Sequence, residues 1–199
     1  MSEQYDDDRI IRIVIHARGG MGAVTASQIL VEAAYLSGNF EDVQAFPSFG
    51  AERRGAPVQA YAKLSKDSKI WDRSQIEHPD IIIVFDESVL NKPITDALKR
   101  NGIIIINSEK DPNFFIEKYE LSKDKKIVVA NMNQLAIERD LTIDGIPVVN
   151  TSILGLLAKA LPELELENLK KVVTKKLGEK LGKINCDLLE QGYNMAKMV

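Results

Sequence analysis

Three glycines, an arginine and a histidine fall within the seven residues His16-Ala17-Arg18-Gly19-Gly20-Met21-Gly22. An apolar run precedes this stretch and a small-residue segment, from Ala23 to Leu30, follows it. A strand that turns through glycines into a helix offers an anion the helix's unpaired N–H groups and its positive dipole end. Gly19, Gly20 and Gly22 carry no Cβ, so a phosphate or another chain can come close to the backbone. Arg18 can add a charge-assisted hydrogen bond. The order G-G-x-G is not the G-x-G-x-x-G of a dinucleotide site, and it has neither the lysine nor the length of a P-loop. The acid that an NAD site places ~20 residues on, at the end of the second strand, is also missing. Glu41 and Asp42 precede that strand, and Pro47 and Ser48 follow it. Spacing alone leaves two equal readings, an anion-receptive corner and a tight turn with no ligand.

A second unusual stretch, AFPSFGAERRGAPVQAY, begins at Ala45. Phe46 and Phe49 stand beside Pro47 and Gly50, and Glu52, Arg53 and Arg54 sit together before Gly55 and Pro57. The mixture is too apolar for a solvated loop and too charged for a core. Arginine and aromatic anchors suit a buried contact with a partner or a large ligand. The plain alternative, a surface loop with Glu52 paired to an arginine, contributes little energy.

Other residues are expected to do ordinary work. Asp86 and Ser88, just past an apolar run, read as a cap on the next turn. His16 is a lone imidazole without a visible partner, expected as a satisfied residue at a strand end. The lysines at 170, 171, 175, 176, 180 and 183 flank an apolar stripe of Leu169, Val172, Val173, Leu177 and Leu181. That is an amphipathic helix with a solvated face. Cys186 reads as a small core residue.

The 199 residues, 45% hydrophobic and 28% charged, suit one soluble domain, taken as residues 1–199 with the acidic stretch 1–8 as a disordered tail. A net charge of −3 argues against nucleic acid. No run is long enough for a membrane span and no basic leader is present, so a cytoplasmic protein is expected. One cysteine and two histidines leave no ligand set for an iron–sulfur cluster or a metal.

Strands are predicted at 10–15, 43–46, 58–64 (half-buried, from its alternation), 80–85, 103–106 and 126–130. Helices are predicted at about 24–37, 94–100, 133–139, 151–161, 166–181 and 187–197. The alternation implies an α/β fold: a single doubly wound, mostly parallel sheet with helices on both faces, Rossmann-like, and a helical C-terminal third.

Together, HARGGMGAVTASQIL, QAFPSFGAERRGAPVQAY, RSQIEHPDIIIVFDESVL and VVNTSILGLLAKAL resemble the gamma subunit of the 2-oxoacid:ferredoxin oxidoreductases, with the pyruvate and 2-ketoisovalerate types nearest. The resemblance runs from about Ile10 to the C-terminal helices. It implies a complex that oxidatively decarboxylates a 2-oxoacid, places the acyl group on coenzyme A and passes two electrons to ferredoxin. Thiamine diphosphate, Mg and the iron–sulfur clusters would lie on alpha, beta and delta subunits. This chain alone would hold no cofactor, and would contribute to coenzyme A binding and to assembly. Carried over by position, the binding residues would be Arg18, Gly19, Gly20, Gly22, Arg53, Arg54, Asn150 and Thr151. The partner interface would be Phe46, Phe49, Glu52, Arg53 and Arg54, and no catalytic residue is implied. Ala17 and Met21 stand where the family often has Gly and Gln. Two rival readings stay open: a purely structural assembly subunit with an empty glycine turn, and a free-standing nucleotide-binding protein.

Overall fold

The apolar, β-branched run at the start of the chain forms β1 (Ile10–Arg18), and Gly22 and Gly38, both left-handed, bound the helix α1 (Ala23–Ser37) that follows. The computed structural model describes residues 10–48 and 54–199; the expected tail at 1–8 lies outside the described residues. Next come β2 (Asp42–Pro47), β3 (Pro57–Ser65) and β4 (Ile81–Val84). They are followed by α2 (Lys92–Asp96), β5 (Ile103–Asn107), α3 (Pro112–Tyr119), β6 (Lys126–Ala130) and α4 (Met132–Glu138). A small hairpin, β7 (Thr142–Ile143) with β8 (Ile146–Pro147), precedes α5 (Ile153–Ala160) and α6 (Leu166–Met195). The last strand is β9 (Lys197–Met198).

The main sheet has the order β2-β3-β1-β4-β5-β6-β9. Strands β1, β4, β5 and β6 pair in parallel, while β3 runs antiparallel between β1 and β2, and β9 antiparallel to β6. The fold is thus the expected α/β architecture with a mostly parallel sheet. The period of two along each strand sorts the core into layers. Ile13, Ile15, Ala60, Ala62, Ile83 and Ile105 face α1, α5 and α6. Ile82, Val84, Ile104, Ile106, Ile127 and Val129 face the other way, against Phe115 and Tyr119 of α3. With helices on both faces, the crossovers leave β1 and β4 on opposite sides. In open α/β sheets a crevice opens at the carboxyl ends of the two strands flanking such a switch, here β1 and β4.

Three elements differ from their expected form. Strand β3 is buried on both faces, by α1 on one side and by a cluster with Ile76 on the other, so its alternation of Ala with Gln, Tyr and Lys does not mark a solvated side. The helix expected at 94–100 stops at Asp96, shortly after Asn91 caps it and Pro93 starts it. The C-terminal lysine-rich helix breaks at Gly178, where φ is +74°, so Leu181 leaves the apolar stripe and lies exposed.

Among the described residues no helix covers the second face of the β2–β3–β1 half. A small cluster of Val14, Phe46, Tyr61 and Ile76 fills it, with Ile76 carried by the irregular segment 66–79. Lys63 fastens that segment. Its ammonium is buried, donates to the Asp72 carboxylate at 2.7 Å and to the Asp72 carbonyl at 3.0 Å, and lies 5.5 Å from the Phe46 ring centroid. The hydrogen bond from Lys63, helped by bonds from Ser74, holds the Asp72 carboxyl well below the usual carboxylate range.

Asp72→Asn leaves the Lys63 ammonium without its anion and is expected to cost about 2 kcal/mol at neutral pH, read from urea unfolding. Because the folded pKa of Asp72 is depressed, the parent's advantage is present above the ordinary carboxylate value and lost as pH falls below it. The stability gap between parent and variant should therefore close on acidification; a gap unchanged down to acid pH rules out this anchoring role.

Candidate functional site

The site is assembled where β1 ends. The β1–β3 ladder runs without interruption from Ile10↔Ser65 to Arg18↔Pro57. Two further backbone bonds extend it beyond the sheet: the Gly19 N–H donates to Ala56 O at 2.8 Å, and the Gly55 N–H to Gly19 O at 3.0 Å. These bonds bring the two unusual sequence stretches side by side. Gly20 and Gly22 then turn the chain with φ of +94° and +81°. At Gly22 the N-terminus of α1 begins with no side-chain cap, so its first N–H groups face the corner unclaimed.

The two departures from the family pattern are accommodated. Ala17 is buried extended strand opposite Val58, so no positive φ is needed there. The Met21 sulfur accepts the Arg18 N–H at 3.4 Å and packs into the core, closing the turn from inside.

The corner, a concavity of about 210 Å³, is lined by Arg18, Gly20, Gly22, Ala23, Val24, Val58 and Gln59. The side chain of Arg54 lies over Gly20: a Cβ there would sit 3.7 Å from Arg54 Cγ and 3.8 Å from Nε. Asn150 packs on Gly22 so closely that a Cβ would come within 2.6 Å of its Nδ2. Five of the expected binding residues, Arg18, Gly20, Gly22, Arg54 and Asn150, thus meet around the start of α1, with Gly19 in the turn itself. Thr151 does not reach the corner. It is buried, and its hydroxyl donates to Asn185 Oδ1 of α6, so its work is to join α5 to α6.

The two arginines differ in what they are free to do. Arg18 Nε donates to Asp86 Oδ2 at 2.9 Å and to Ser88 Oγ at 3.2 Å, Nη1 to Gly55 O at 2.9 Å, and Nη2 to Ser88 Oγ at 2.6 Å. It is a bracket that ties β1 to the loop after β4 and to Gly55. Asp86 also caps that loop, accepting from the Ser88 N–H at 2.9 Å, as expected. Burial opposes ionisation of Asp86, but the bonds from Ser88 and Arg18 outweigh it and keep its pKa below the ordinary value. Among the described residues Arg54 has one partner, Asp144, and both side chains are more than half exposed. Such a pair is weak and exchangeable.

Asp144 was not singled out from the sequence. Its signal is the Asp-Gly pair flanked by Ile143 and Ile146, the dipeptide of a tight hairpin with two positive φ values. Of the expected interface, Phe46 is corrected. It faces inward from β2, its ring centroid 5.2 Å from that of Tyr61, and is buried core instead of a docking anchor. Phe49, Gly50, Glu52 and Arg53 lie outside the described residues. A larger cleft at the ends of β4–β6 is lined by Asp86, Glu87, Glu109 and Glu138, whose charges repel an anion. No group of side chains suited to a metal ion occurs among the described residues, and no helix among them is long and apolar enough to cross a membrane.

Gly22→Ala must place a side chain at positive φ and displace Asn150. A loss of about 1–3 kcal/mol is expected in chemical unfolding. A neutral substitution contradicts this geometry.

The chain is similar to known proteins over nearly its whole length. Residues 12–195 match the family model described as pyruvate ferredoxin/flavodoxin oxidoreductase. The common gamma subunit of the pyruvate/ketoisovalerate oxidoreductases of Pyrococcus furiosus is 38% identical over 190 residues, covering 95% of this chain and 98% of that one. The pyruvate synthase subunit PorC of Methanocaldococcus jannaschii is 38% identical over 186 residues, covering 93% and 96%. The crystal structure of the pyruvate oxidoreductase subunit PORC of Thermotoga maritima superposes with a TM-score of 0.80 at 32% identity, covering 96% of this chain and 98% of that one. With the fold, the glycine corner and these relatives in agreement, the chain belongs to the pyruvate ferredoxin/flavodoxin oxidoreductase family.

Proposed function

We propose that this chain is the gamma subunit of a cytoplasmic pyruvate or 2-ketoisovalerate:ferredoxin oxidoreductase, that it helps bind coenzyme A, and that it docks on the subunits carrying the reactive centres. The complex removes carbon dioxide from a 2-oxoacid, transfers the acyl group to the thiol of coenzyme A and sends two electrons to ferredoxin. Thiamine diphosphate, Mg and the clusters belong to alpha, beta and delta chains in this reading. The observation that carries it is Arg54 lying over Gly20, beside the uncapped start of α1. A diphosphate there would accept the first N–H groups of α1 and the Arg54 guanidinium, with Asp144 released to water. Asn150, packed on Gly22, holds the turn in shape. Arg18 has most of its donors committed and keeps the corner rigid.

The clean test is Arg54→Ala in the assembled complex, because an exposed pair can be removed with little loss of stability. Coenzyme A affinity by calorimetry should fall about tenfold while the melting temperature holds. Unchanged affinity would leave a scaffold subunit with an empty turn. The isolated chain should be colourless and inactive toward 2-oxoacids; turnover by the lone chain refutes the assignment of chemistry to its neighbours.

A further inference from the structure

Behind the glycine corner, on the second face of the sheet, lies another cleft of about 370 Å³. Its walls are His16, Ala17, Ser48, Pro57, Val58, Gln59, Ser88, Val89, Asn91 and Ile94, and the two concavities share Val58 and Gln59 as a common ridge. The ring of His16 is 7% exposed, yet only one of its nitrogens has a partner among the described residues.

A chain of hydrogen bonds sets the direction of the other nitrogen. Tyr61 donates its proton to Gln59 Oε1 at 2.7 Å. The amide of Gln59 is thereby oriented with Nε2 toward the imidazole, 3.4 Å from Nδ1. An amide nitrogen has only donors, so Nδ1 of His16 must accept, and the ring proton sits on Nε2. That N–H is not sealed in the protein, and faces the cleft without a partner. Burial pushes the imidazole pKa down to about 4, so the ring is a neutral donor throughout the physiological range. At the rim, the Asn91 side chain spends its oxygen on capping α2 and keeps its NH₂ free.

We propose that this cleft is a second, neutral compartment of the ligand site, binding a flat hydrogen-bond acceptor, an amide or a nitrogen heterocycle, between His16 Nε2–H and the Asn91 amide. The inference rests on the reading above in one respect, that the same ligand sends its phosphates over the ridge to the glycine corner. An uncharged donor pair flanked by Val58, Val89, Ile94 and Pro57 discriminates against a phosphate and favours a neutral, polar-edged group. Two parts of coenzyme A have this chemistry, the purine base and the amide arm.

The chain has only two histidines, so ¹⁵N-histidine labelling of the full-length protein resolves the site directly. Adenosine and pantetheine, both free of phosphate, are the probes. At least one should shift the His16 ring signals saturably and leave His78 still, and the one that does so identifies the source. Asn91→Asp keeps the capping oxygen and removes the donor, and should weaken that probe about tenfold. Silence of His16 toward both probes to the limit of their solubility overturns the proposal, as does full-strength binding by the Asn91→Asp variant. Backbone amides from Gly20 to Thr25, followed with coenzyme A itself, report separately on the phosphate reading. If they shift while His16 stays silent, only the cleft fails. If His16 responds while they stay still, the cleft stands and the phosphate reading fails.

Discussion

The antiparallel ladder between β1 and β3 is the constraint on which the rest depends. Nine successive pairs run from Ile10↔Ser65 to Arg18↔Pro57, and the Gly19–Gly55 bonds continue the pairing past the sheet. A parallel neighbour at this position would have brought its amino end alongside the amino end of β1. The reversed direction brings the start of β3 to the end of β1, and with it the approach from Arg54. Register matters as much as direction. A slip of one residue would turn Tyr61 and Lys63 toward α1 and Ala60 and Ala62 toward Ile76, inverting both layers at once.

Because β3 is interior, its two sides can do different things at the same height. On one side Val58 meets the start of α1, where backbone N–H groups and Arg54 produce positive potential. On the other, Gln59 joins the neutral chain from Tyr61 to His16. The proposed places for an anion and for a neutral acceptor are thus separated by the thickness of one strand. Removing His16 from solvent costs the imidazole its charged form, which keeps the second side neutral.

How much of this could be read from the chain follows physical lines. Apolar runs such as Ile81–Val84 and Lys126–Ala130 were legible because parallel strands buried on both faces need continuous β-branched residues. Gly20 and Gly22 were legible as a turn because few other residues tolerate their positive φ. The interior position of β3 was not, since alternating Ala with Gln, Tyr and Lys resembles a half-exposed strand unless the pairing partners are known. Phe46 ends the predicted strand beside a charged, glycine-rich stretch, which suggested an outward anchor, while its neighbour in space is Tyr61. Asp144 had a signal that went unused, the Asp-Gly hairpin. His16 had none, because its orientation comes from Tyr61 and Gln59, dozens of residues away.

The division between the two arginines follows from what each must hold. Arg18 stands at the junction of β1, the loop after β4 and Gly55, and no water-filled gap separates it from Asp86 and Ser88. Pulling its guanidinium toward a ligand would unfasten three pieces of backbone that define the corner. Arg54 is held by one exposed carboxylate on a two-stranded hairpin, where the pair contributes little net energy. In the proposed reading a diphosphate takes the place of the Asp144 carboxylate beside Arg54 and accepts from helix N–H donors as well. In the proposed reading the cation that fixes the shape and the cation that meets an anion are therefore different residues, since a group with most of its donors committed to the scaffold has few left for a ligand.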